Sequence, residues 1–193
     1  MNPTYTRLGA LVTVLAVALV LVTEAAAGTP AEVPTFAGPI VITPTGQTPE
    51  SLTLGALLDR LQIPYTHDPM LVPRKLEGYN TLMLAMGASL KGLGAAGIDQ
   101  QEELQRDHMV VDAAREKGMS VIAVHIGGTA RRNAIADRFI TPFVPKADLI
   151  LVLREGNQDG LFTQLSEEHG LPLVEVDDFV QLLGVLAAMF AAP

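Results

Sequence analysis

The chain of 193 residues contains no cysteine and no tryptophan, and its aromatic content is only 5%. The absence of cysteine excludes disulfides and a lipid-modified cysteine anchor, so the fold must depend on its hydrophobic core. The scarcity of aromatic rings argues against sugar-stacking surfaces. Basic residues are also few: 13 Lys and Arg against 21 Asp and Glu give a net charge of −8. Nucleic acid is therefore not expected as a partner.

Residues 1–27 have the layout of a secretory signal peptide. Arg7 is the only charge before an uncharged stretch of fifteen residues, 8–22, and three alanines at 25–27 suit a cleavage site. The stretch is short for a membrane-spanning helix, which needs about 20 residues. Cleavage would make the protein extracytoplasmic, which here covers secreted, periplasmic and envelope-associated proteins. A retained leader would instead tether it to a membrane.

The remainder of the chain predicts a linker over residues 28–37, which contains Pro30 and Pro34, and one domain over residues 38–193. Apolar runs typical of buried strands alternate with helical patterns, and a glycine-rich loop is expected over residues 87–97. The predicted strands are 39–43, 63–67, 81–86, 120–126, 149–153 and 173–176. This alternation predicts a single three-layer, doubly wound α/β domain, Rossmann-like or flavodoxin-like, with a mostly parallel sheet of five or six strands.

Two adjacent arginines give the strongest indication of function. Arg131 and Arg132 follow the sequence His-Ile-Gly-Gly-Thr, where a strand is expected to give way to a helix capped by Thr129. Cations are unfavourable in the first turn of a helix, whose free N–H groups already carry positive charge. A bound anion would offset that cost. The pair therefore predicts recognition of a carboxylate, sulfate or phosphate, which suits a planar guanidinium group.

Ligands of doubly wound sheets bind beyond the carboxyl ends of the strands, so polar residues that follow the strands are expected at one rim. We accordingly predict an extracytoplasmic binding protein that holds a small anionic ligand there. The predicted ligand-binding residues are Ser89, Lys91, His125, Gly127, Gly128, Thr129, Arg131, Arg132 and Asn157. The glycines would permit close approach of the anion. No cofactor is expected, and the spacing of histidines and carboxylates does not indicate a metal site.

Two alternatives remain open at this point. The first is a small hydrolase or another enzyme that uses His125 as its acid/base group, with or without a metal ion. The second is an interaction protein that docks through its last helix, which is apolar nearly all round over residues 177–190. The same helix could join two copies of the chain. Ligand identity, catalysis, strand order and oligomeric state do not follow from the sequence.

Three segments carry a resemblance to a known family. They are GASLKGLGAAG at 87–97, HIGGTARR at 125–132 and REGNQDG at 154–160. In combination they resemble an uncharacterised bacterial family of exported α/β domains of unknown function, over roughly residues 38–178. The resemblance implies export and an α/β fold, and it assigns no role to any residue.

Overall fold

The six strands of the protein form one parallel sheet in the computed structural model, which describes residues 33–191. Their order across the sheet is β2-β1-β3-β4-β5-β6, and each neighbouring pair is parallel. The strands are β1 (Ile40–Pro44), β2 (Tyr65–His67), β3 (Thr81–Ala85), β4 (Ser120–His125), β5 (Leu149–Leu153) and β6 (Leu173–Val176). This arrangement confirms the predicted α/β class and the parallel sheet.

Helices cover both faces of the sheet, so the domain has three layers. The helices are α1 (Glu50–Arg60), α2 (Leu90–Ala96), α3 (Gln100–Glu116), α4 (Ala134–Arg138), α5 (Leu161–His169) and α6 (Phe179–Met189). Apolar residues of α1 and α6 pack on one face, and those of α3, α4 and α5 pack on the other. No helix between residues 33 and 191 has both the length and the apolar character that a membrane crossing requires.

Two hydrophobic cores follow from the alternation of side chains along each strand. In β1, Ile40 and Ile42 point toward α1 and α6, whereas Val41 points toward the α3 face. The central strands β3 and β5 are buried at every position, because helices cover them on both sides. Their apolar runs are therefore continuous in the sequence, as expected for a parallel sheet.

Two local predictions are wrong. The glycine-rich segment is not a simple loop, because Ser89 caps α2 by accepting a hydrogen bond from the backbone N–H of Gly92. The helix expected after Thr129 is only a 3-10 turn, Thr129–Arg131. The helix α4 begins three residues later, where the side chain of Asn133 accepts two backbone N–H groups. Neither arginine therefore lies in the first turn of an α-helix.

Other boundaries agree closely with the sequence patterns. Asp99 and Glu102 form the predicted capping box at the start of α3. The last helix is capped by Asp178 rather than by the preceding Asp177. The predicted signal peptide lies outside the described residues. Of the predicted linker, residues 33–37 are described, and there Phe36 packs against the core and donates its backbone N–H to Met189.

Candidate functional site

The strand order reverses between β1 and β3, the position where ligands bind in doubly wound sheets. In this protein the loop that follows β1 fills the space where a ligand would bind. Thr45 and Thr48 are buried, and the hydroxyl of Thr45 donates to the carbonyl of Phe139. Gly46 has a positive φ, and a Cβ atom there would lie 2.4 Å from the carbonyl oxygen of Gly87. The loops after β1 and β3 are therefore in direct contact.

Three charged residues of α3 form a buried cluster beneath this loop. Arg106 donates two hydrogen bonds of 2.8 Å to the two carboxylate oxygens of Glu103 and one of 2.6 Å to Asp107. It also donates to the carbonyl of Pro44 at 2.8 Å. Burial raises the pKa of Asp107 well above its usual value, although Arg106 opposes that shift. The cluster ties α3 to the carboxyl end of β1.

The same carboxylates occupy the backbone amides of the loop. The N–H of Gly46 donates to Asp107, and that of Gln47 donates to Glu103, each at 3.2 Å. An external anion would need these amides, and they are already bound to internal anions. The β1 loop is therefore excluded as an anion site in the described structure.

An open cavity of about 500 Å³ lies on the adjacent rim, between the segments that follow β3 and β4. Three of the predicted binding residues meet there: Ser89, Lys91 and Arg131. The other lining residues are Ala88, Leu90, Asn133, Ala134 and Ile135. We call this the head cavity. Its volume lies within the range of about 300–1,000 Å³ usual for small-molecule sites.

The polar side chains of the head cavity have unused donors. Ser89 accepts a hydrogen bond at Oγ, so its hydroxyl hydrogen remains to be donated. The Oδ1 atom of Asn133 accepts two backbone N–H groups, which leaves its amide nitrogen as a donor. Within residues 33–191, no ion pair joins Lys91 to a carboxylate. The cavity is therefore complementary to an acceptor.

Arg131 is positioned by a contact that the sequence did not predict. Its Nε atom donates to Glu50 at 2.7 Å, and Glu50 also accepts the hydroxyl of Thr48. The side chain crosses Gly127, where a Cβ atom would lie 2.3 Å from Cγ of Arg131. Gly127 therefore makes room for the arginine and not, as predicted, for an anion. Among residues 33–191, the two terminal amino groups of Arg131 have no hydrogen-bond partner.

Arg132 does not line the head cavity but is held by acidic neighbours, and its role as a ligand contact stays a prediction. It donates to Asp137 at 3.0 Å, to both carboxylate oxygens of Asp159 and to the carbonyl of Gly156 at 2.6 Å. Its guanidinium also lies 5.3 Å from the ring centre of Phe162. Burial would lower the pKa of Arg132, but the two aspartates raise it instead. Arg132 lines a separate, smaller cavity of about 250 Å³, together with Thr129 and Asp159.

His125 lies beneath the rim and is 0% exposed. Its Nδ1 atom is 2.9 Å from the carbonyl oxygen of Met86, and Nε2 is 3.3 Å from that of Gly128. Burial is the main cause that lowers its pKa, so the neutral ring is favoured. A Cβ atom on Gly156 would collide with the ring. The predictions of His125 as a ligand contact or an acid/base group therefore lose their geometric basis.

The remaining predicted residues lie away from the head cavity. Asn157 is buried, and it donates to Thr163 and Glu175 and accepts the backbone N–H of Phe162. Thr129 donates its hydroxyl to Glu155 at 3.0 Å. Gly128 has a positive φ, and a Cβ atom there would lie 2.9 Å from the same carboxylate. The contacts of Thr129 and Gly128 with Glu155 join the segments after β4 and β5. The binding roles of these three residues stay predictions.

Two further expectations can be compared with the described residues. Within 33–191, no group of three or more histidine, aspartate or glutamate side chains is placed to bind a metal ion. In α6, Leu182, Leu186 and Met189 are buried against the sheet of their own domain. The core thus explains the apolar residues on one side of this helix. Phe179 and Val180, at its start, are 43% and 78% exposed, and docking or self-association through the helix stays a prediction.

Comparison with known proteins identifies a family without an assigned activity. No curated protein matches the chain significantly. A family model described as a domain of unknown function, DUF6305, matches residues 37–190, which include the whole sheet and the head cavity. The chain therefore belongs to the DUF6305 family.

Proposed function

We propose that the protein is an extracytoplasmic binding protein that holds a small organic or inorganic anion in the head cavity. The observation that carries the proposal is that Lys91 and Arg131 line one cavity although they belong to segments that follow different strands. Extracytoplasmic location is inferred from the sequence of residues 1–27 alone.

The electrostatics of the cavity favour a ligand with one negative charge. Glu50 compensates one of the two cations, because it pairs with Arg131 at 2.7 Å. Lys91 is exposed, and it supplies the remaining positive charge. The other polar lining groups, Ser89 and Asn133, can donate hydrogen bonds. A carboxylate could accept from the lysine and from the fork of the arginine at the same time.

The test is a titration of the protein with acetate, phosphate and sulfate at low ionic strength, followed by calorimetry or NMR. We expect weak binding of at least one of these anions, and we expect the affinity to fall as salt is added. Lys91→Gln and Arg131→Gln should each lower the affinity about tenfold, as loss of one charge-assisted hydrogen bond predicts.

Lys117→Gln is the matched control. Lys117 lies just before β4, at the amino-terminal ends of the strands and therefore opposite the head cavity, and it pairs with Glu77. The control loses the same charge, so it should change the affinity by less than twofold. Equal affinities in all variants, or no binding of any anion by the wild type, would refute the proposal.

A further inference from the structure

A second cavity continues the head cavity along α4. It has a volume of about 540 Å³ and is lined by Leu104, Ala134, Asp137, Arg138, Thr141 and Pro142. Ala134 lines both cavities. It is exposed, and its side chain is only a methyl group, so the ridge between the two cavities is low. We call the second one the body cavity.

The body cavity is suited to an uncharged group. Leu104, Ala134 and Pro142 supply apolar surface. Its two charged residues, Asp137 and Arg138, are adjacent in the chain and carry opposite signs. Asp137 is also bound to Arg132 at 3.0 Å. An aliphatic chain would cover the apolar residues, whereas a second carboxylate in its place would lose those contacts and part of its own hydration.

An apolar side chain in the head cavity points to the same ligand chemistry. Leu90 is 59% exposed although it lines the cavity beside Lys91. The half-buried Ile135 lies on the facing wall. A purely inorganic anion would make no use of these side chains, but an amphiphilic ligand would cover them.

We infer that the ligand is an amphiphilic monoanion: a carboxylate with an aliphatic body. The carboxylate lies between Lys91 and Arg131, and the body passes over Ala134 into the body cavity. This inference rests on the proposed function. The span along α4 is short, because side chains four residues apart, such as those of Ala134 and Arg138, lie about 5–6 Å from each other. A medium-chain acid is long enough to enter both cavities.

A chain-length series tests the inference with acetate, butyrate, hexanoate and octanoate, each titrated into the protein at constant ionic strength. Complete burial strengthens binding about fourfold per methylene, and an open groove should give about half of that free energy, or twofold. Hexanoate has four more methylenes than acetate, so we expect it to bind about sixteenfold more tightly, by the same reasoning. Adipate, which has a second carboxylate in place of the methyl end, should bind more weakly than hexanoate.

Ala134→Leu raises the ridge between the cavities. We expect hexanoate to bind this variant no more tightly than acetate does, because the added side chain costs the longer acid its methylene contacts. Ala187→Leu is the control, since Ala187 is exposed on α6 at the opposite face of the sheet. It should leave the whole series unchanged.

The outcomes separate the inference from the proposed function. Acetate binding that depends on Lys91, with no gain along the series, would overturn the amphiphilic ligand and leave the anion site standing. Adipate binding more tightly than hexanoate would overturn the inference in favour of a dianion. A chain-length gain that persists unchanged in Ala134→Leu would also overturn it. Failure of every acid to bind would refute the proposed function itself.

Discussion

Replacement of Arg106 by methionine should destabilise the domain more than the same replacement of Arg115, the other arginine of α3. Arg106 is 5% exposed, and it is the cation between the buried carboxylates of Glu103 and Asp107. Breaking a buried ion pair by removing one partner costs about 3–5 kcal/mol, because the remaining charges stay buried without compensation. For a domain of this size, a loss of 4 kcal/mol corresponds to a decrease in Tm of about 8–16 °C.

The measurement is urea unfolding followed by circular dichroism at pH 5 and pH 8. Arg115→Met is the matched control on the same helix: Arg115 pairs with Asp148 at 2.7 Å, but its side chain is 43% exposed. An exposed pair contributes about 0–1 kcal/mol. A cost of Arg106→Met no greater than that of Arg115→Met would refute the view that the cluster fixes α3 to β1.

The effect of Arg106→Met should also depend on pH. Burial already holds the pKa of Asp107 above its usual value, and removal of the arginine takes away a cation that lowers it. A carboxyl whose pKa is raised on folding contributes stability below its unfolded pKa, about 3.9, and loses it as pH rises through the folded value. The difference in free energy of unfolding between the wild type and Arg106→Met should therefore be larger at pH 8 than at pH 5. A gap that narrows toward pH 8 would contradict this reasoning.

Four other substitutions, of which Gly94→Ala is a control, are measured by the same unfolding assay. Gly46→Ala should cost at least 2 kcal/mol by strain and collision, whereas Gly94→Ala, in open space on α2, should stabilise by about 0.5–1 kcal/mol. Arg132→Lys should cost about 2 kcal/mol, because lysine cannot hold Asp137 and Asp159 with one planar fork. His125→Gln should lower the free energy of unfolding at pH 7.5, and it should lower it less at pH 5.5. Burial lowers the pKa of His125, so the stability that its neutral ring gives the wild type is lost as pH falls below about 6.5. The contact at Gly46 would be contradicted if both alanine variants changed the free energy of unfolding equally. The contacts of Arg132 would be contradicted if Arg132→Lys left this free energy unchanged. The reasoning on His125 would be contradicted if His125→Gln lost more stability at pH 5.5 than at pH 7.5.

The layers of the fold were predictable because local signals and burial agree along most of the chain. The strand Leu149–Leu153 and the helix Leu161–His169 have the boundaries that the sequence predicts. The prediction of a helix capped by Thr129 was wrong for a local reason, since the side chain of Asn133 caps the helix that follows. Thr129 and Asn133 are both residue types that cap helices. The backbone after Gly128 forms a 3-10 turn over Thr129–Arg131, so that the α-helix begins only after Asn133.

The candidate site was predictable in its location but not in its composition. The sequence predicted that Ser89, Lys91 and Arg131 lie at one rim, because all three follow strands of a parallel sheet, and the structure places them in one cavity. It gave no means of telling Arg131 from Arg132, because their partners Glu50 and Asp159 are distant in sequence. The buried cluster did have a signal: Glu103, Arg106 and Asp107 lie at helical spacing on the same face of α3 as the buried Val110.

The central claim is that an anion binds between Lys91 and Arg131, and NMR with hexanoate tests it most directly. We expect the largest changes in backbone amide shifts at residues 88–91, 131 and 133–135, which line the head cavity. Lys91→Gln should need about tenfold more hexanoate to reach the same shift changes, whereas Lys117→Gln should need the same concentration as the wild type. Shifts concentrated instead around Phe36, Ile63 and Phe190, which line an apolar cavity of about 580 Å³ elsewhere in the domain, would contradict the account.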